Sequence, residues 1–136
     1  MIKTWKDVEK AFESFFDHYG KEAAVFRLSD TAMAKANGGG FVAAQPSDYI
    51  VLLQGQWFFA EVKSSQDQRA FHFKNIRKGQ IAASRRTVAA GGTYLFFVYS
   101  FELEQWYCVP AQIVHTTLRQ KKSMTWQELE AFRYDT

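Results

Sequence analysis

Two β-rich runs, Asp48 to Leu53 and Trp57 to Lys63, constrain the fold of this chain most strongly. Only Gln54-Gly55-Gln56 separates them, and a glycine in so short a connection predicts a β-hairpin. In the second run, alternate side chains point to opposite faces, and both faces are apolar until Glu61 and Lys63. A strand that is apolar on both faces is typical of a sheet covered on each side, so the hairpin predicts an α/β fold.

Helix and strand signals on either side of the hairpin agree with this class. Thr4 and Asp7 form a capping-box pattern before an apolar stripe with helical spacing, which predicts a first helix that ends at Gly20. Thr125 and Glu128 repeat the pattern near the other end of the chain. The other predicted elements are a strand over residues 23–28, a polar loop over 64–73, a helix over 74–90, antiparallel strands over 93–100 and 105–109, and a short helix that opens at Pro110.

Length and composition limit the class of protein further. With 136 residues, of which 47% are hydrophobic, we expect one domain spanning residues 1–136 and a substantial core. The single cysteine, Cys108, excludes an internal disulfide, and the apolar runs are too short to span a bilayer. The first residues also lack the apolar stretch of a signal peptide. We therefore expect a cytoplasmic protein with no membrane partner.

The basic residues are unevenly distributed. The formal net charge is only +3, but the stretch from Gln68 to Phe101 contains no acidic residue and six of the 17 lysines and arginines. A segment of this kind attracts polyanions such as DNA, although a solvated helix face has the same pattern.

Three charged residues are predicted to meet at the open end of the hairpin. Asp48 lies 13 residues before Glu61, a separation at which a hairpin can fold it back beside Glu61 and Lys63. Two neighbouring carboxylates repel each other unless a cation lies between them, and Mg²⁺ binds carboxylate oxygens. An adjacent lysine can orient a water molecule and offset phosphate charge, so the set favours metal-assisted phosphodiester hydrolysis. Two strand-end charges and a turn aspartate are the simpler interpretation, because Glu-x-Lys alone is a weak signal.

The order of these motifs resembles that of RecU-type Holliday junction resolvases, which belong to the PD-(D/E)XK nuclease superfamily. The resemblance spans about residues 45–130. It implies an α/β, restriction-endonuclease-like core: a mixed β-sheet flanked by helices, with a stalk-like insertion before the catalytic aspartate. The glycine-rich residues 29–45 lie where that insertion is expected, and they are shorter than the family's stalk. The matching stretches are Ser47-Asp48-Tyr49, Gly55, Ala60-Glu61-Val62-Lys63, Phe71-His72-Phe73-Lys74-Asn75 and Gln80-Ile81.

The resemblance also implies an activity and its requirements. It predicts a homodimeric, Mg²⁺-dependent endonuclease that cuts four-way DNA junctions, with Mn²⁺ as a substitute ion. A general or restriction-type nuclease on the same fold is an alternative, and so is a DNA-binding protein without catalysis. Phe71 and Phe41 are expected to contact unstacked bases, whereas Trp57, Trp106 and Phe73 are expected in the core.

The functional residues follow from the same resemblance. Asp48, Glu61 and Lys63 are the predicted catalytic residues, and Gln80 is predicted to support them from the helix. Asp48, Glu61, Val62 and an N-terminal glutamate are the predicted metal ligands. Glu9 fits the expected spacing better than the alternative, Glu13, and either could equally be a solvated helix residue. The predicted DNA contacts are Lys35, Arg69, His72, Lys74, Arg77, Lys78 and Arg85.

Overall fold

The structure, a computed structural model, describes residues 1–28 and 45–136. The insertion expected at 29–45 therefore lies outside the described residues, apart from Gln45. No helix in the described ranges is long and apolar enough to cross a membrane. The helices are α1 (Trp5–Ser14), α2 (Lys78–Ala89), α3 (Ala111–Leu118) and α4 (Trp126–Leu129), with 3₁₀ turns at Asp17–Glu22, Phe73–Asn75 and Glu130–Phe132.

The strands of the described residues form one mixed six-stranded sheet and a separate two-stranded ribbon. The sheet order is β1-β2-β3-β5-β6-β8, and β4 pairs with β7. β3 and β5 run parallel, whereas their outer neighbours are antiparallel to them. The strands are β1 (Ala23–Arg27), β2 (Tyr49–Leu53), β3 (Gln56–Ser65), β4 (Ala70–His72), β5 (Tyr94–Ser100), β6 (Gln105–Pro110), β7 (Ser123–Thr125) and β8 (Arg133–Tyr134).

Apolar clusters lie on both faces of the sheet. On one face, α1 buries Val8 and Phe12 against β2, β3 and β5. The Phe12 ring lies 4.9 Å from the rings of both Tyr49 and Phe97. On the other face, α2, α3 and α4 pack over β5 and β6. This arrangement confirms the predicted mixed sheet flanked by helices.

Local signals predicted several elements correctly. Asp7 donates its backbone N–H to the Thr4 hydroxyl, and its carboxylate accepts the Thr4 N–H at 3.0 Å. Thr125 and Glu128 form the same capping box. The turn between β2 and β3 places Gln54 and Gly55 at φ 51° and 83°. Two successive positive φ angles match a tight hairpin turn whose twist suits the flanking strands.

Three predicted boundaries are wrong. The first helix ends at Ser14, because a 3₁₀ turn follows it, and Gly20 at φ 57° lies inside that turn. The expected loop over 64–73 contains the end of β3 and all of β4, which pairs with the distant β7. The second helix begins at Lys78, since Phe73–Asn75 form a separate 3₁₀ turn.

The aromatic side chains also differ from expectation. Phe71, expected in a loop near DNA, is only 2% exposed, because it lies on β4 within the core. Trp57, expected in the core, is 48% exposed. Trp106 and Phe73 are buried as predicted, and Phe41 lies outside the described residues.

The only cysteine of the chain, Cys108, lies on β6 opposite Phe97 of β5. Burial raises the pKa of its thiol to about 12. The thiol is therefore protonated at neutral pH, which is typical of a packing residue rather than of a nucleophile.

Removal of the Phe12 ring should destabilise the fold strongly. Phe12→Ala leaves a cavity between α1 and the sheet, and a change of this kind costs about 3–5 kcal/mol of unfolding free energy. Leu103→Ala is the control, because Leu103 is 51% exposed and surface changes cost about 0.5 kcal/mol or less. Urea unfolding monitored by circular dichroism measures both. Equal losses in the two variants would contradict the proposed anchoring role of Phe12.

Candidate active site

The site lies where β2 and β3 separate. β2 pairs with β3 as far as Tyr49 and Ala60. β3 then continues to Ser65 alongside β5. From Glu61 onward, β3 thus has no β2 residue beside it, and Asp48 stands directly before β2 at this opening.

Asp48 and Glu61 are held together through each other's backbone. The backbone N–H of Asp48 donates to Glu61 Oε1 at 3.0 Å. In return, Asp48 Oδ2 accepts the backbone N–H of Val62 at 2.9 Å. This reciprocal pair fixes two carboxylates side by side, as the hairpin register predicted.

Glu61 combines complete burial with an unsatisfied oxygen. Its side chain is 0% exposed. Oε2 accepts no hydrogen bond from any group in the described residues. The Lys63 Nζ atom lies 3.2 Å from this oxygen, and the lysine side chain is 15% exposed. The contact is thus an ion pair without hydrogen-bond alignment.

The electrostatics of the carboxylates reflect their burial. Burial, together with the neighbouring Asp48 charge, raises the pKa of Glu61 to about 7, although Lys63 opposes the shift. Burial also raises the pKa of Asp48, against the opposing effect of the Val62 N–H. Buried carboxylates whose pKa values are raised are typical of functional sites.

Both candidate N-terminal glutamates face the site from α1. Arg27, at the end of β1, lies 2.8 Å from Glu9 and 3.8 Å from Glu13. The Tyr49 hydroxyl donates to Glu13 at 2.6 Å. Burial raises the pKa of Glu9, and the charge of Asp48 adds to that rise. Glu9 is therefore electrostatically coupled to the site, while Glu13 is engaged by Tyr49.

Arg27 is a site residue that the sequence argument missed. Its guanidinium lies between the two α1 carboxylates and 5.9 Å from the centre of the Tyr49 ring. The signal was present, because glutamates four residues apart share a helix face and attract one cation. That the cation comes from β1 depends on a tertiary contact.

The predicted ligand set is only partly assembled. Asp48 and Glu61 meet, but no three or more His, Cys, Asp or Glu side chains among the described residues form a metal-ligand cluster. The unsatisfied Glu61 oxygen and the acidic pair nevertheless fit a divalent cation that binds oxygen and retains waters.

Gln80, the residue predicted to support the site from the helix, accepts the backbone N–H of Arg77 at 2.9 Å, so its side chain caps α2.

The predicted DNA contacts lie on several elements. Lys78 and Arg85 are exposed on α2, and Arg77 precedes it. Lys74 was predicted to lie in the same helix, over residues 74–90, but it lies in the preceding 3₁₀ turn. Of the other three predicted DNA contacts, Arg69 is exposed just before β4. His72 Nε2 lies 3.1 Å from Asp67 Oδ2. Lys35 lies outside the described residues.

Comparison with solved structures shows the fold. The chain matches the structure of Hjc from Archaeoglobus fulgidus, a Holliday junction resolvase, with a TM-score of 0.59 and 12% sequence identity. The match covers 93% of this chain and 92% of that one, and 21 structural chains match significantly. The fold is therefore the restriction-endonuclease-like fold that the motifs predicted. No curated protein sequence matches significantly.

A family profile assigns the chain more closely. The profile described as RecU, Recombination protein U, matches residues 24–135. The chain therefore belongs to the RecU family, which makes it a junction-resolving endonuclease of DNA recombination. Divalent-metal dependence accompanies this class.

The buried Glu61 carboxyl should make the metal-free protein less stable as pH rises. Between pH 4.5 and about 7, the folded protein retains a proton that this group loses in the unfolded chain, so the unfolding free energy falls. In Glu61→Gln, the unfolding free energy should fall by up to about 3 kcal/mol less than in the wild type over this pH range.

Urea unfolding in the presence of a chelator, from pH 4.5 to 8, measures this difference. The exposed Glu102→Gln variant is the control and should follow the wild-type curve. If Glu61→Gln also follows it, the carboxyl does not retain its proton in the folded protein.

Proposed function

We propose that Asp48, Glu61 and Lys63 form the catalytic centre of this resolvase and that Mg²⁺ is its ion, with Mn²⁺ as a substitute. One observation carries the proposal: a completely buried Glu61 has an unsatisfied oxygen beside a second carboxylate. A structural ion pair would satisfy both oxygens, because an unpaired buried oxygen is costly. A site that awaits a cation explains this cost.

Asp48 and Glu61 are the proposed metal carboxylates, with Val62 and Glu9 as further members of the ligand set. Glu9 has to exchange its contact with Arg27 for this role, and Glu13 is the alternative. When bound, the ion stabilises charge that develops on the phosphate during hydrolysis. The backbone contacts between Asp48 and Glu61 hold both carboxylates in position before substrate arrives.

Lys63 is the proposed catalytic lysine. Its ammonium group is mostly buried and held by Glu61, so it projects from β3 in a restricted position. From there it can orient a water molecule for attack on phosphorus and offset negative charge on the phosphate. Cleavage then breaks the bond to the 3′ oxygen. Gln80 is proposed to act from α2, where it steadies the first turn of the helix.

The basic set is proposed to bind the DNA backbone. Lys78 and Arg85 lie on α2, and Lys74 and Arg77 lie on the segment that leads to it. No acidic residue occurs between Gln68 and Phe101 to weaken the attraction for phosphates. Contacts of this kind position a substrate without reading its sequence. Arg69, His72 and Lys35 complete the proposed set.

The remaining properties follow from the substrate. A four-way junction needs two symmetric incisions, so we propose a homodimer with one site in each copy. We propose a single nuclease domain over residues 1–136, in which residues 29–45 form an insertion before Asp48. Because cellular DNA is the substrate, we propose action in the cytoplasm.

Asp48→Asn should abolish junction cleavage and preserve junction binding. The amide retains the shape of the side chain but loses the charge that holds a cation. Mutation of residues that only hydrogen-bond to metal ligands already lowers metal affinity or activity by about 10–100-fold. For a ligand itself we therefore expect the cleavage rate to fall by more than about 100-fold. Asp135→Asn changes an exposed carboxylate elsewhere and should cut normally.

A synthetic four-way junction with Mg²⁺, tested for cleavage and by mobility shift, provides both readouts. A linear duplex of the same sequence tests selectivity. Full cleavage by Asp48→Asn would exclude the proposed metal site, and equal cutting of the linear duplex would favour a general nuclease instead.

Neutralisation of the α2 cations should reduce the salt dependence of binding. Each lost phosphate contact should lower the slope of log K against log salt concentration by about 0.9. Lys78→Gln and Arg85→Gln are the test variants, and Lys21→Gln, exposed before β1, is the control. Fluorescence anisotropy on the junction at several salt concentrations measures the slope. A wild-type slope in both test variants would show that α2 does not contact the backbone.

A further inference from the structure

Asp48 lies in a short bend that precedes its strand. Residues 46–48 form this bend, and β2 begins only at Tyr49. Pro46, at the start of the bend, has no backbone N–H and so cannot donate to a strand ladder. The position of Asp48 therefore depends on individual contacts rather than on the regular hydrogen bonds of the sheet.

The end of the bend is held by three hydrogen bonds. The backbone N–H of Asp48 donates to Glu61 Oε1 at 3.0 Å, and its carbonyl oxygen accepts the Leu28 N–H at 2.8 Å. The Ser47 hydroxyl donates to the carbonyl oxygen of Tyr49 at 2.8 Å. The Ser47 bond spans only two residues, so it shapes the bend without attaching it to another element.

The start of the bend is held by the distant strand β5. Tyr94, the first residue of β5, donates its hydroxyl to the Pro46 carbonyl oxygen at 2.6 Å. The Tyr94 side chain is 1% exposed. Its ring centre lies 6.0 Å from that of Phe59 and 5.2 Å from that of Phe96. A ring packed in this way has little freedom, so its hydroxyl attaches Pro46 at a fixed point.

The Tyr94 hydroxyl is also within electrostatic reach of the two carboxylates. Burial raises the pKa of Tyr94, and the charges of Glu61 and Asp48 add to the rise. The hydroxyl is therefore protonated at neutral pH and keeps the hydrogen that it donates to Pro46. Its contact and its charged neighbours thus both lie at the proposed catalytic centre.

We propose that Tyr94 is a positioning residue for the metal site, whose hydroxyl holds Asp48 in place through the Pro46 carbonyl. This inference rests on the proposed function, because it takes Asp48 as a metal ligand. Mg²⁺ demands near-ideal octahedral geometry with oxygens at about 2.1 Å. A small displacement of one carboxylate therefore lowers the affinity for the ion.

A purely structural hydrogen bond is the simpler interpretation, because a buried tyrosine hydroxyl usually finds a partner. The place of this bond favours positioning instead. It joins residues that are 48 apart in the chain, and it ends two residues before Asp48. Tyr107 offers a comparison, since it is equally buried on β6 but has Glu130 and Arg133 as its charged neighbours.

The test removes each of these two hydroxyls and keeps its ring. Tyr94→Phe loses the contact with Pro46 and retains the packing against Phe59 and Phe96, so circular dichroism should show a folded protein. Tyr107→Phe is the matched control. Urea unfolding of both variants measures any general loss of stability.

Hydrogen exchange followed by NMR in the presence of a chelator tests the position of Asp48 without metal. In Tyr94→Phe, the amide of Asp48 should exchange about fivefold faster or more, because the bend opens locally when one of its hydrogen bonds is lost. The amides of β6, which β5 separates from β3, should exchange as in the wild type. Tyr107→Phe should leave the Asp48 amide unchanged.

Calorimetric titration with MgCl₂ in the absence of DNA tests the metal site. Loss of an outer contact typically lowers metal affinity by about 10–100-fold, and we expect Tyr94→Phe to weaken Mg²⁺ binding by about tenfold. Junction cleavage should then need about tenfold more Mg²⁺ for its half-maximal rate. The rate at saturating Mg²⁺ and the dissociation constant for the junction should match the wild type.

The possible outcomes separate this role from the proposed function. Unchanged Asp48 exchange or unchanged Mg²⁺ affinity in Tyr94→Phe would overturn the positioning role. Equal effects in Tyr107→Phe, or faster exchange throughout β6, would show a general loss of stability and overturn it as well. Failure of the proposed function has a different signature, because Asp48→Asn would then bind Mg²⁺ and cut junctions like the wild type.

Discussion

The buried carboxylate of Glu61 is the constraint on which the site depends. A charge without solvent exposure is expensive unless partners surround it. Here the partners are the Asp48 backbone N–H and the Lys63 ammonium, and they leave one oxygen unsatisfied. The fold tolerates this cost because β5 pairs with β3 from Phe59 to Ser65 and so fixes the backbone at Glu61. This unsatisfied oxygen beside a second carboxylate is the observation that supports the proposed cation site.

The same opening explains why the surrounding elements lie where they do. β2 must leave β3 at Tyr49 so that Asp48 can turn back and accept the Val62 N–H. Phe12 fixes α1 over this point through its ring contacts with Tyr49 and Phe97. Arg27 then neutralises the glutamates that α1 carries. The packing of the core and the charge balance of the site are therefore parts of one arrangement.

Local sequence signals predicted the features that depend on near neighbours. The hairpin brought Asp48 to Glu61 because its register is set by a two-residue turn, and both capping boxes involve residues three apart. The errors arose from contacts between distant segments. β4 exists because Ala70–His72 pairs with β7, and this pairing also buries Phe71. Trp57 is exposed because α2 stops short of the outer strands, which alternation along one strand does not reveal.

The state of Cys108 has a practical consequence for studies of this protein. Thiol reagents react with the thiolate, and a thiol with a pKa of about 12 forms very little of it at pH 7–8. A cysteine introduced at an exposed surface position would react first, since an unperturbed thiol has a pKa of about 8.5. Spin labels or fluorophores can therefore be attached at chosen positions while the native cysteine stays in place.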